Sequence, residues 1–190
     1  MNPWIIRSAF DADLEVRSGG DGRTIFGLAA PIGKWNPIRD HAGTYDEMIA
    51  RGAFARTISQ RGTKIPLHAQ HESRKLPLGP VRSLTESDDG LRMEAYVSKT
   101  VAGDEVLELV RDGALGGLSI GFSPVREAWS KDGKRRTHHE VALHEVSLVT
   151  VPAYREALVT GVRSALPAPA GPTIHFFERS LWLLSQQEYR

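Results

Sequence analysis

Cysteine is missing from all 190 residues, which removes disulfide staples and thiol catalysis and fits a reducing compartment. Net charge is nearly missing too, since 24 Lys and Arg against 23 Asp and Glu leave only +1. A chain so balanced has no electrostatic pull toward nucleic acid or an anionic membrane. No apolar run approaches the ~18 residues that a membrane-spanning helix needs. The opening stretch, MNPWIIRSAF, lacks the basic segment and long apolar core of a signal peptide. Seven histidines are present, but no HExxH pair or comparable ligand spacing, so no metal or other cofactor is expected. No internal repeat is visible. These absences lead to the expectation of a soluble cytosolic domain, large enough to bury its own core.

What is present reads mostly as β-structure. Strands are expected over Thr24–Pro31 (TIFGLAAP), Lys64–Gln70, Leu78–Leu84, Leu91–Val97, Leu118–Trp129 and Arg135–Val151. The turn sequences ESDDG (86–90) and SKDGK (130–134) join the last four into two hairpins. Short strands joined by tight turns point to an antiparallel barrel or sandwich with flanking helices. One helix is expected from Asp46 to Gln60, broken near Arg51-Gly52. A second is expected from Val101 to Arg111, with Thr100 as its N-cap, Val106, Leu107 and Val110 as its apolar stripe, and Gly113 beyond its end. The domain is expected to occupy residues 1–163. SALPAPAGP (164–172) reads as a Pro/Ala linker, and residues 173–190 as a helical tail that docks on the domain or on a partner.

Three segments carry chemistry. GALGGLSIGF (113–122) sets Ser119 in a strand behind a glycine-rich approach, PLHAQHE (66–72) holds His68 and His71, and LHEVSLVTVPA (143–153) holds His144 and Glu145. A hydroxyl, an imidazole and a third polar group are the parts of an acyl-transfer site. Gly116, Gly117 and Gly121 permit the close backbone approach that a substrate or an oxyanion hole requires. His68 and His71 lie three apart where a strand runs into a loop, so their rings diverge and one working histidine is favoured over two metal ligands. His144 and Glu145 are adjacent on a strand, so only one of them can reach the site. Glu145 is expected to share a face with Leu143, Ser147 and Val149, where a buried carboxylate needs a hydrogen bond such as an imidazole supplies. His138 and His139, beside a charged hairpin tip, are read as solvated. A metal hydrolase using His68, His71 and His144 is a third, weaker reading.

Together, IFGLAAP, YDEMIARGAFARTI, PLHAQHE followed by LPLGPV, GALGGLSIGF and HEVSLVTVPA resemble, in order, the prohead (capsid maturation) serine proteases of tailed phages. The resemblance spans about Thr24 to Arg163. That family is in turn similar to the herpesvirus assemblins, which implies a mainly β, herpesvirus-protease-like barrel with surrounding helices. Carried over by position, Ser119 is the nucleophile and His71, followed by the acidic Glu72, is the general base. Glu145 is the third member, with His144 as its rival because assemblins use a histidine there. Oxyanion donors would be backbone N–H groups near these strands or in the loop after Pro152. The resemblance implies cleavage of scaffold protein or of the N-terminal arm of the major capsid protein, and of the protease itself, inside the prohead in the host cytoplasm. It leaves a homodimer open and calls for no nucleic acid or membrane partner. The alternative is a non-catalytic capsid-assembly scaffold or chaperone of the same fold.

Overall fold

Alternating apolar and polar side chains over residues 118–122 and 146–148 demand a sheet that buries one face, and such a sheet dominates the fold. The computed structural model describes residues 4–9, 14–16, 21–40 and 43–150. The expected linker and tail, 164–172 and 173–190, lie outside the described residues. Strands β1 (Ile5–Ala9), β2 (Glu15–Val16), β3 (Thr24–Pro31), β4 (Asn36–Asp40), β5 (Gly43–Ile49), β6 (Pro66–Ala69), β7 (Gly79–Glu86), β8 (Gly90–Tyr96), β9 (Gly117–Trp129) and β10 (Arg135–Val149) belong to one sheet. Its order is β1-β9-β10-β6-β7-β8-β3-β2, and β5, carrying β4 on its far side, pairs with the outer half of β10. The sheet curls so that β3, near one end of this path, packs back against β1 and β9 at the other. The expected mainly β fold with flanking helices is therefore what forms, its sheet curled into a half-barrel. Two pairings depart from the antiparallel rule, because β10 runs parallel to both β5 and β6.

The core lies inside the curl. Leu118, Ile120 and Phe122 of β9 face Leu148, Val146 and Leu143 of β10 across the ladder, and all six are buried. Phe54, Ile65 and Leu67 extend the same cluster. Each such side chain contributes about 1.5–3 kcal/mol of hydrophobic free energy.

Helix α2 (Val101–Arg111) forms where expected. The Thr100 hydroxyl accepts a hydrogen bond from the Gly103 N–H at 3.1 Å, and Val106, Leu107 and Val110 are buried. Gly113 follows with φ of 81°, the left-handed geometry that ends a helix. The first expected helix is largely wrong. Residues 46–49 belong to β5, and α1 (Ala55–Arg61) covers only one short stretch. Between them the chain turns on Gly52, with φ of 83°, and the Glu86 carboxylate accepts hydrogen bonds from the N–H groups of Gly52 and Phe54.

His138 also departs from expectation, being fully buried rather than solvated. The cause is β5, which covers this end of β10 and brings Glu47 with it. Glu47, 1% exposed, is held by Arg7 of β1 (Nε–Oε1 2.5 Å, Nη2–Oε2 3.0 Å) and by His138 Nε2 at 3.0 Å. Burial alone would raise its carboxyl, but the hydrogen bonds from His138 and Arg7 outweigh that and hold it below its ordinary 4.5. This cluster fastens the edge strand β1 to the sheet.

Candidate active site

The site is built where β9, β10 and the end of β6 lie side by side. On the face away from the core, Ser119 of β9 stands opposite Ser147 of β10, which stands opposite His68 of β6. One step along, Gly121 stands opposite Glu145. Glu145 reaches this face because of a β-bulge. The register passes from Leu143↔Phe122 to Glu145↔Gly121 and leaves His144 as the extra residue. Simple alternation would put Leu143 and Glu145 on one face; the bulge instead sends Leu143 to the core side with Phe122 and Glu145 to the polar side with Ser119. Thr57 of α1 holds the strand just upstream, its hydroxyl donating to the Val141 carbonyl and accepting from the Leu143 N–H.

His71 arrives from the turn after β6. Gln70 and His71 both take left-handed backbone conformations, with φ of 52° and 59°. Two consecutive non-glycine residues there are strained, at a cost of order 1–3 kcal/mol each, and such strain collects at functional positions. The turn is held by hydrogen bonds from Gln70 N–H to the Leu148 carbonyl (2.8 Å) and from Glu72 N–H to the Ala69 carbonyl (3.0 Å). The consequence is that the imidazole folds back over the sheet. Its Nε2 lies 2.6 Å from Ser119 Oγ and its Nδ1 lies 2.5 Å from Glu145 Oε1. Ser119 is fully buried, Glu145 is 2% exposed and the His71 side chain 16% exposed. Charge–dipole interactions among these groups are thus poorly screened by water. A carboxylate on Nδ1 fixes the proton there and leaves the Nε2 lone pair for the hydroxyl.

The other candidates fall elsewhere. His144 Nε2 bonds the Ser123 hydroxyl at 2.9 Å, and its ring stacks on Trp4 with centroids 4.4 Å apart. Burial, helped by the charge of Arg61, pushes its pKa below the ordinary 6.5, against a smaller opposing effect of Glu145. His68 remains in its strand beside Ser147, buried. Both ring nitrogens of His71 are engaged by Ser119 and Glu145, so His68, His71 and His144 do not gather into a metal site. Among the described residues no group of three or more His, Asp or Glu side chains has that geometry. The loop after Pro152, one of the two expected sources of oxyanion donors, lies outside the described residues.

Two residues play parts that the sequence reading did not give them. The sequence points to Gly121 as room for a substrate or an oxyanion hole. In the structure, a Cβ there would sit 2.9 Å from Glu145 Cγ and 3.0 Å from its Oε1, so the glycine makes room for the carboxylate. Ser147 donates to Glu145 Oε2 at 3.3 Å. Its place on the face of Glu145 was visible in the i, i+2 spacing, but its direction of bonding was not.

A family model described as caudovirus prohead serine protease matches residues 12–168. The prohead protease of Enterobacteria phage HK97 is 25% identical over 166 residues, covering 85% of this chain and 71% of that protein. Among solved structures, the bacteriophage T4 capsid assembly protease, gp21, resembles this fold with a TM-score of 0.56 at 12% identity, over 77% of this chain and 97% of that one. At that identity the likeness speaks to fold alone. With the family model spanning most of the sequence, the chain belongs to the caudovirus prohead serine proteases.

Proposed function

We propose that this chain is a serine endopeptidase of capsid maturation, with Ser119 as nucleophile, His71 as general base and acid, and Glu145 as the group that orients His71. The observation that carries the reading is the single imidazole joined to Ser119 Oγ at 2.6 Å and to Glu145 Oε1 at 2.5 Å. His144 is set aside as third member because its ring is turned to Ser123 and Trp4. Family membership supports peptide hydrolysis in the immature head.

The chemistry follows from the contacts. As Ser119 Oγ forms its bond to the scissile carbonyl carbon, the hydroxyl proton passes to His71 Nε2. Glu145 keeps the Nδ1 proton in place and stabilises the imidazolium that results. Collapse of the tetrahedral intermediate breaks the C–N bond, and Nε2 returns its proton to the leaving amine. Water, deprotonated by the same nitrogen, then releases the acyl group from Ser119. The substrates we propose are scaffold protein or the N-terminal arm of the major capsid protein, and the protease's own tail after residue 163. Coexpression with the cognate capsid protein tests this. A shortened capsid band with the wild type and a full-length band with Ser119→Ala is expected; shortening by Ser119→Ala refutes the nucleophile. Whole-protein mass measurement on the same two samples tests the tail, since an uncut tail in both removes self-cleavage.

A further inference from the structure

Resting on the proposed roles of Ser119, His71 and Glu145, we infer that Ser147 is a positioning residue that holds the Glu145 carboxylate in the rotamer that meets His71.

The carboxylate is confined on two sides. One oxygen, Oε1, is taken by His71 Nδ1 at 2.5 Å, and the other, Oε2, receives the Ser147 hydroxyl at 3.3 Å. On the β9 side the missing Cβ of Gly121 leaves just the volume that the carboxylate fills. Glu145 is 2% exposed and Ser147 fully buried, so bulk water does not replace the hydroxyl if it is removed. A buried carboxylate oxygen that loses its donor seeks another, and rotation about the terminal Glu bond is soft. Among the described residues, the donor that remains on this carboxylate is His71. A rotated carboxylate then competes for Nδ1–H in a geometry that turns the ring away from Ser119. Ser147 thus acts through Glu145 on the orientation of the base and touches no reacting atom. Ser147 stands in a cross-strand row between Ser119 on one flank and His68 on the other.

A double-mutant cycle on the full-length protein tests this, using Ser147→Ala, Glu145→Gln, the pair together, and Ser119→Ala as the control for the underlying reading. Ser147→Ala is expected to lower kcat about three- to tenfold with KM unchanged, the size of one hydrogen bond to a charged group after partial compensation. In the Glu145→Gln background it should change kcat by less than about twofold, because the carboxylate it positions is gone. Ser147→Cys, close in size with a weaker donor, should fall between wild type and Ala; it also serves if Ala perturbs folding. Equal fractional losses in both backgrounds, or a wild-type kcat for Ser147→Ala, overturn the positioning role while leaving the nucleophile assignment intact. Retained cleavage by Ser119→Ala overturns the reading on which it rests.

Discussion

Gly121→Ala is the smallest change with a calculable effect on the site. The added methyl would lie 2.9 Å from Glu145 Cγ and 3.0 Å from Oε1. Carbon atoms pack best at about 3.5–4.0 Å, so Glu145 must retreat by roughly 0.6 Å or more. It cannot do so freely, since Oε1 is 2.5 Å from His71 and the residue is 2% exposed. The displacement therefore passes to the imidazole. Misplacement by 1 Å costs on the order of 100-fold, which puts the expected loss in kcat at about 10- to 100-fold. Overpacking should cost about 1–3 kcal/mol of stability. In a chain of this size that lowers Tm by roughly 2–4 °C per kcal/mol, leaving the variant folded at assay temperature. The assay is cleavage of purified capsid substrate under saturating conditions, with circular dichroism on the same sample. A folded Gly121→Ala that turns over like wild type would refute the argument that this glycine exists to admit the carboxylate.

Two further outcomes are expected. Glu145→Gln should lower kcat by about two to four orders of magnitude through loss of the imidazole's orientation, whereas His144→Ala should stay within about threefold; the reverse ranking would exchange their roles. Glu47 gives an acid-stability prediction. Its folded pKa lies below its ordinary 4.5, so its stabilising contribution is present above that value and is lost as pH falls through the lower folded value. Glu47→Gln should cost about 3 kcal/mol at neutral pH and flatten the fall of Tm below about pH 4.5. A mutant curve parallel to wild type in acid would contradict the assignment.

Much of the fold was legible because local signals agreed with tertiary demand. TIFGLAAP, an apolar run after a glycine-rich turn, became β3 as bounded, and Thr100 and Gly113 bracket α2. Where the two disagreed, sequence reasoning failed. The run DEMI in β5 has the acidic residues of a helix start, but Glu47 points inward because Arg7 pairs with it and His138 hydrogen-bonds it, and both lie far away in the chain. Missing β5 as a strand also made His138 look solvated. The bulge at His144 has no glycine to announce it, so Leu143 was put on the wrong face. Ser119, His71 and Glu145 could be named from their segments, but their distances could not. The left-handed turn at Gln70 and His71, which no glycine or asparagine announces, is what carries the ring across to β9.

The convergence of hydroxyl, imidazole and carboxylate is tested most directly by trapping the acyl-enzyme. Acid-quenched early turnover with capsid substrate, digested and read by mass spectrometry, should yield a peptide containing Ser119 enlarged by the N-terminal product fragment. An adduct on another side chain, or substrate cleavage with no covalent enzyme species and undiminished in Ser119→Ala, would contradict the account.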